Sequence, residues 1–372
     1  MRIIIIGGGF AGLSAAERLL KSGIRLEVIL IDRKDTADFL PMLPDTIGRA
    51  ICPEFLTLGL KDAGTKLGFI FIRGEVTAID LDRQSVTTKE GVLIYDFLII
   101  TSGTETNFYG NDNIRDNAFV LDGAEDVVKI IGLLKERRDA SFIVGGGGYT
   151  GIEVAANLRR YFDREALQNR VLIVERAPNI LGVLPEWMRG YVIDNLNRLK
   201  VEISVNSAIE RIEGERVYLS GGRVFENAAV IWAAGVKTSG FIQDLKAEKN
   251  PQGRIKVDEY LRLRDNCYVA GDTAYFSHQG VFLRMAVQFA LAEGECAAEN
   301  VIATLKGIGL KGYFPRDLGY IIPMANNRSC GEVLGVKLKG RLPTVLHFLM
   351  CLYRIRGAGN KIGILRNLIT GR

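Results

Sequence analysis

Three glycines and one acid near the N-terminus have the types and spacing that can hold a phosphate-containing ligand. A run of four isoleucines ends at Gly7-x-Gly9-x-x-Gly12, a helix-like segment follows, and the next apolar segment ends at Asp32. In such a strand–turn–helix–strand unit, the first glycine permits the tight turn and the second lets the backbone approach a pyrophosphate. The third lets the helix pack on the strand. Asp32 then accepts a hydrogen bond from a ribose hydroxyl, so the pattern predicts a dinucleotide site.

The same arrangement recurs further along the chain. A strand-like segment leads into Gly146-x-Gly148-x-x-Gly151, a helix-like segment follows, and the next apolar segment ends at Glu175. Two complete units predict two bound dinucleotides, and two redox dinucleotides in one chain imply electron transfer between them. Glu175 favours an unphosphorylated ribose, and therefore NADH over NADPH. Arg176 follows directly and could accept a 2′-phosphate.

A third motif, Gly271-Asp272, ends a short strand-like segment that begins at Cys267. A carboxylate at this position suits a hydroxyl of a polyol. Asp272 can also cap the helical turn that follows, and the two interpretations are compatible.

Composition indicates a globular protein of two to three domains, because the 372 residues are 48% hydrophobic and 24% charged. The five cysteines have no close spacing and there are only two histidines. The sequence therefore predicts no metal site, no iron–sulfur cluster and no local redox disulfide.

The C-terminal segment from Val333 onward contains eight Lys or Arg and no acid. Its two apolar stretches, residues 342–353 and 362–369, are too short to span a bilayer. Apolar helices bordered by cations are typical of the membrane interface, so we expect this segment to bind an anionic membrane surface. A helix packed on the core or on the partner of a homodimer is the alternative. We expect no nucleic-acid binding, because the cations do not alternate with exposed aromatic residues.

Both glycine units and Gly271-Asp272, in this order, resemble the two-dinucleotide flavoprotein reductases. The resemblance covers residues 1–300 and implies non-covalent FAD on the first unit, with Asp272 at its ribitol or pyrophosphate, and NADH on the second. It implies an α/β fold of two Rossmann-like domains, the second inserted in the first. The expected domains are an FAD-binding domain, an NADH-binding domain and a C-terminal membrane-associating region, at residues 1–108 with 238–330, 109–237 and 331–372.

A narrower resemblance is to the type II NADH:quinone oxidoreductases. It rests on Phe39–Pro44, Gly146–Glu153, Val230–Val236 and the basic, apolar C-terminus. It implies a respiratory dehydrogenase that does not pump protons, lies peripherally on the cytoplasmic face of the cell membrane and passes electrons from NADH through FAD to a quinone. The residue matching Glu153 lies beside the nicotinamide and the flavin in that family. An ordinary acid in the first turn of a helix is the alternative.

The quinone-site helix of that family carries A-Q-x-A-x-Q, and the corresponding stretch here runs from Val287 to Ala292. Gln288 and Ala290 match the pattern, whereas Ala292 replaces the second glutamine. Gln288 is therefore a candidate contact of the quinone or flavin, with plain helix packing as its alternative.

Two other functions stay open. Sulfide:quinone oxidoreductases share the fold and the membrane tail but use redox cysteines beside the flavin. Cys296 or Cys330 could serve only if folding brought it there with a partner. The alternative of a different class is a flavoprotein whose conformation or assembly responds to NADH. Soluble disulfide reductases are disfavoured, because the sequence has no close cysteine pair.

Overall fold

The computed structural model describes residues 1–370, and its chain divides into two compact units. Unit 1 comprises residues 1–37, 58–105 and 236–317, and unit 2 comprises residues 38–57, 106–235 and 318 onward. Residues 371 and 372 of the expected C-terminal region lie outside the described residues. The assignment of FAD and NADH to separate domains stays a prediction.

Residues 1–370 form α-helices with these bounds: α1 Phe10–Leu20, α2 Leu43–Arg49, α3 Leu60–Leu67, α4 Asp112–Asn117, α5 Ala124–Glu136, α6 Tyr149–Arg164, α7 Glu186–Arg198, α8 Gly240–Asp244, α9 Val287–Lys306, α10 Arg341–Arg354 and α11 Ala358–Thr370. Single 3₁₀ turns occur at Leu40–Met42, Pro53–Leu56 and Gly271–Thr273.

The strands are β1 Arg2–Ile6, β2 Glu27–Asp32, β3 Thr36–Asp38, β4 Thr57–Gly59, β5 Ile70–Arg73, β6 Val76–Asp80, β7 Ser85–Thr88, β8 Gly91–Ile94, β9 Phe97–Ile100, β10 Glu105–Thr106, β11 Ser141–Gly145, β12 Val171–Val174, β13 Val201–Ser204, β14 Ile209–Glu213, β15 Arg216–Leu219, β16 Val224–Phe225, β17 Ala228–Trp232, β18 Val236–Lys237, β19 Ile255–Lys256, β20 Arg262–Arg264, β21 Cys267–Val269, β22 Ala274–Tyr275, β23 Ser277–His278, β24 Val281–Phe282, β25 Gly319–Ile322, β26 Ser329–Val333 and β27 Val336–Gly340.

Unit 1 is built on a six-stranded sheet in the order β20-β21-β9-β1-β2-β5. Strand β1 lies between β9 and β2 and runs parallel to both, with Ile4 aligned with Leu98 and Ile29. A parallel strand covered on both faces can be apolar at every position. The isoleucine run fits this description, because none of its four side chains is more than 3% exposed.

Unit 2 repeats the arrangement on a four-stranded parallel sheet in the order β13-β12-β11-β17. Helix α6 joins β11 to β12 as α1 joins β1 to β2, and Val144 on β11 aligns with Ile173 and Ile231. The predicted α/β fold with two Rossmann-like cores is therefore confirmed.

Helices α1 and α9 of unit 1 pack against each other through a glycine. A Cβ added at Gly294 of α9 would lie 2.1 Å from the carbonyl oxygen of Ala11, so the backbones meet with no room for a side chain. The Ser14 hydroxyl donates to the Leu291 carbonyl at 2.8 Å, and Arg18 pairs with Glu299 at 3.2 Å. Helix α9 is thus held directly against the helix that follows the first glycine turn.

Helices α10 and α11 of unit 2 each have one buried and one exposed apolar face. Helix α10 buries Thr344, Phe348 and Cys351, and α11 buries Ile364. The opposite faces expose a separate set of large apolar residues: Leu342, Val345, Leu349 and Tyr353 on α10, and Ile362, Leu365 and Ile369 on α11. Within residues 1–370, no helix combines the length and hydropathy that crossing a bilayer requires.

The close approach at Gly294 makes a testable prediction. Gly294→Ala should lower the free energy of unfolding by about 1–3 kcal/mol, because the added methyl group overpacks the α1–α9 contact. The melting temperature should fall accordingly. Calorimetry would measure the shift.

Gly190 in α7 is the matched control, since a Cβ added there meets nothing within 4 Å. Gly190→Ala should leave stability unchanged or raise it by about 0.5–1 kcal/mol through better helix propensity. Equal effects of the two substitutions would show that the α1–α9 contact is not tight.

Candidate functional site

The first glycine turn has the geometry that its spacing predicts. Gly7 has φ of +102°, and a Cβ there would lie 2.3 Å from the Thr101 carbonyl oxygen. A Cβ on Gly12 would lie 1.9 Å from the Gly7 carbonyl oxygen, which explains why the helix can start so close to the strand. At Gly9 an added Cβ meets nothing within 4 Å, so this backbone remains open to a ligand.

Asp32 at the end of β2 is hydrogen-bonded to this turn. One carboxylate oxygen accepts from the Gly8 amide at 2.7 Å, and the other accepts from the Lys34 amide at 2.8 Å. A carboxylate offers about four lone pairs, so two remain for other donors. Asp32 and Gly7 also line a cavity of about 390 Å³ within unit 1, together with Ser102 and Thr104.

The second glycine turn has the same steric features as the first. Gly146 has φ of +110°, and a Cβ on Gly151 would lie 1.9 Å from the Gly146 carbonyl oxygen. A Cβ on Gly148 meets nothing within 4 Å. Glu175 at the end of the second strand accepts from the Gly147 amide and from the Ala177 amide, both at 2.7 Å.

The Gly271-Asp272 turn is held by α9. The Gly271 amide donates to Glu293 at 2.7 Å, and Arg254 donates to the Asp272 carbonyl oxygen at 2.9 Å. Burial raises the pKa of Asp272, and Arg254 opposes that rise. Burial also raises the pKa of Glu293 to about 8.

Sequence reasoning missed Glu293 and Arg254. The sequence pattern indicates that Glu293 is unusual, since it lies between Ala290 and Ala297 on the apolar face of α9. In the structure Glu293 is only 3% exposed. A charged residue at an apolar position of an amphipathic helix needs a polar partner. Arg254 had no comparable signal, because it lies in an irregular segment.

Gln288 lies in the first turn of α9, where its amide donates to Asp317 at 3.0 Å. Asp317 also pairs with Arg284, whose second guanidinium nitrogen lies 2.8 Å away. These contacts give Gln288 a structural role, and its role toward an acceptor stays a prediction.

Glu153 lies in the N-terminal part of α6, near a charge cluster that the sequence did not predict. Burial raises the pKa of Glu153 to about 8, Asp45 raises it further and His347 opposes the rise. His347 of α10 lies 3.5 Å from a carboxylate oxygen of Asp45, and Arg49 lies 2.9 Å from the other. Burial alone would lower the pKa of His347, but Cys351 and Asp45 raise it well above its usual value.

These residues fit dinucleotides at both turns. Each turn leaves its middle glycine open, starts a helix of eleven or more residues and places a carboxylate at the following strand end. The positive end of the helix dipole favours an anion at such a turn.

Comparison with known proteins agrees with this geometry. Residues 1–294 match the family model of pyridine nucleotide-disulphide oxidoreductases. The chain belongs to this family.

The curated relatives are named for quinone reduction. The demethylphylloquinone reductase NdbB of Synechocystis is 29% identical over 99% of this chain and 96% of its own. The type II NADH:quinone oxidoreductase of Staphylococcus aureus is 26% identical over 90% of each chain. The NDH2 structure of Plasmodium falciparum in complex with NADH covers 99% of this chain and 97% of its own, with a TM-score of 0.86 at 16% identity, and supports the fold. The resemblance to type II NADH:quinone oxidoreductases is therefore confirmed.

The raised pKa of Glu153 predicts a pH effect. Its pKa in the folded protein, about 8, lies above the ordinary value of 4.5, so between these values the folded chain holds a proton that the unfolded chain releases. This group's contribution to stability therefore falls as pH rises from 4.5 to 8. Glu153→Gln should match the wild type near pH 5 and be more stable by about 1–3 kcal/mol above pH 8.

Thermal unfolding between pH 5 and 9 would measure the difference. Glu186→Gln is the control, at an exposed acid in the first turn of α7. Its stability relative to the wild type should not increase with pH. If Glu153→Gln behaves like this control, the carboxyl of Glu153 is an ordinary helix acid.

Proposed function

We propose that this chain is a type II NADH:quinone oxidoreductase that binds FAD non-covalently. FAD held by the first glycine turn would supply the redox chemistry that carries electrons from NADH to a quinone. The observation that carries the proposal is the pair of equivalent glycine turns, each with its own carboxylate, in a chain whose relatives are named for quinone reduction.

The first turn would hold FAD and the second NADH. Gly7, Gly9 and Gly12 would hold the FAD pyrophosphate, Asp32 its ribose, and Gly271-Asp272 its ribitol or pyrophosphate. Gly146, Gly148 and Gly151 would hold the NADH pyrophosphate. The Glu175 carboxylate would accept from the NADH ribose hydroxyls and repel a 2′-phosphate, because two like charges at about 4 Å repel even near solvent.

Glu153 and Gln288 are the proposed contacts of the reacting groups. A carboxyl with a pKa near 8 is mostly protonated at neutral pH, so Glu153 can donate a hydrogen bond to the nicotinamide amide group. Gln288 would offer its amide to the quinone or flavin, in exchange for its contact with Asp317.

Sulfide:quinone oxidoreduction is less well supported. All five cysteines are free thiols, and burial raises the pKa of Cys296 and of Cys330 to about 12. A thiol with such a pKa yields little thiolate, which is the form that attacks sulfur. Neither cysteine therefore has the environment of a redox centre.

The exposed faces of α10 and α11 would bind the cytoplasmic face of the membrane peripherally. Leu342, Val345 and Leu349 follow the helical period on the outer face of α10, and all are more than half exposed. Arg341 and Arg366 are exposed beside these faces, and each cation near an anionic surface adds about 1 kcal/mol. Coverage of the same faces by a second copy in a homodimer is the alternative.

Anaerobic reduction tests the reaction. The purified protein should be yellow, NADH should bleach its flavin absorbance, and a short-chain quinone should restore the colour. NADPH should bleach it more slowly because of Glu175. Failure of NADH to bleach the flavin would falsify the proposal, and bleaching by sulfide alone would favour the sulfide reaction. A change in oligomer size with NADH, without reoxidation by any quinone tested, would favour a signalling role.

A single substitution tests the membrane face. Leu349→Gln should lower partitioning onto phosphatidylglycerol vesicles about tenfold, because burial of one leucine side chain contributes about 1.5–3 kcal/mol. Flavin content should not change. Truncation is a poorer test, since α10 also covers the core with Phe348 and Cys351.

Val128 on α5 is the matched control, an equally exposed apolar residue outside the C-terminal region. Val128→Gln should leave vesicle binding unchanged. A wild type that does not bind vesicles and sediments as a dimer, which Leu349→Gln converts to a monomer, would assign the face to self-association instead.

A further inference from the structure

A second cavity, in unit 2, is rich in arginine and has no part in the glycine turns. Its volume is about 410 Å³, and its charged lining residues are Arg49, Arg160, Arg164 and Asp163. Arg160 lies nine residues after Gly151 on α6, which places it about 14 Å along the helix from that turn at 1.5 Å per residue. The cavity is therefore separate from the proposed NADH site.

The carboxylates near this cavity are already engaged. Asp45 pairs with Arg49 at 2.9 Å and also faces His347. Asp163 pairs with Arg159 at 3.0 Å, and Glu165 pairs with Arg164 at 3.2 Å. In the part of the chain that the structure describes, no carboxylate lies within 4 Å of the Arg160 guanidinium.

Two guanidinium groups share one neutral acceptor at the wall of the cavity. Arg160 donates to the Ala325 carbonyl oxygen at 2.7 Å, and Arg49 donates to the same oxygen at 3.3 Å. This shared acceptor brings two like charges close together. Burial lowers the pKa of Arg160, the positive charges of Arg49 and Arg164 lower it further, and the negative charge of Asp45 opposes the decrease. The cavity therefore has excess positive charge, since within residues 1–370 no carboxylate forms a direct ion pair with Arg160.

We propose that this cavity binds a phosphate-type oxyanion, with Arg160 as its main contact. The guanidinium fork matches phosphate geometry and can bind two of its oxygens at once. Either a free phosphate compound or a lipid headgroup could supply this chemistry. The headgroup is a reasonable source because Arg49 packs 4.7 Å from the ring of Phe348 on α10, the helix whose outer face is the proposed membrane contact.

Thermal stability in phosphate tests the site without any redox assay. Inorganic phosphate should raise the melting temperature of the wild type in a saturable way, beyond sodium chloride at equal ionic strength. Arg160→Gln should raise the half-saturating phosphate concentration about tenfold or more, because a hydrogen bond between charged groups is lost. Arg160→Lys keeps the charge, so its half-saturating phosphate concentration should lie between those of the wild type and Arg160→Gln.

Arg216→Gln is the matched control, since Arg216 forms an exposed pair with Glu226 and should leave the phosphate response unchanged. Vesicles distinguish the source of the ligand. If the ligand is a headgroup, phosphatidylglycerol vesicles should bind wild type and Arg216→Gln better than Arg160→Gln, and phosphatidylcholine vesicles should not discriminate.

The proposal is wrong if two results coincide. The first is that phosphate stabilises the wild type and Arg160→Gln equally, or no more than chloride does. The second is that phosphatidylglycerol vesicles bind both proteins alike. Loss of the NADH reaction would not affect either measurement, so failure of the proposed function and failure of this site can be told apart.

Discussion

The hydrogen bond from a glycine-turn amide to a carboxylate at the next strand end is the contact on which both proposed nucleotide sites depend. Asp32 makes it to Gly8 and Glu175 makes it to Gly147, each at 2.7 Å. A charged acceptor makes such a bond about twice as strong as a neutral one. It holds each glycine turn against the strand that follows the helix. In the proposed function the same carboxylate also accepts from the ribose, so a single acid would serve both the fold and the ligand.

The short range of these contacts explains why the geometry of the two glycine turns could be predicted from sequence. Every contact in a glycine turn joins residues within one strand–helix–strand unit, and the steric demands at Gly7 and Gly12 allow no other residue type. The two parallel sheets were predictable for a similar reason, because uninterrupted β-branched runs are typical of buried parallel strands. Local spacing and residue type are sufficient for such features.

Contacts between distant parts of the chain were not predictable. Asp45 meets His347 from the other end of the sequence, and each reads alone as an ordinary helix residue. Residues 38–57 belong to the same compact unit as 106–235, and no motif indicates this. Glu293 is an intermediate case. Its position on an apolar helix face showed that a partner was needed, but the partner, the Gly271 amide, required the fold.

Helix α10 contributes His347 to the charge cluster near Glu153 and carries the proposed membrane face on its exposed side. Its buried side is fixed by His347 at Asp45 and by Phe348 at Arg49, and these contacts set the rotation of the helix about its axis. Leu349 therefore has to point away from the core, because neighbouring helix positions diverge by about 100°. The core does not require an apolar residue there, so the exposed leucine needs another cause. The proposed contact with a lipid surface would supply one, and the buried charge pair that orients the helix also influences the pKa of Glu153.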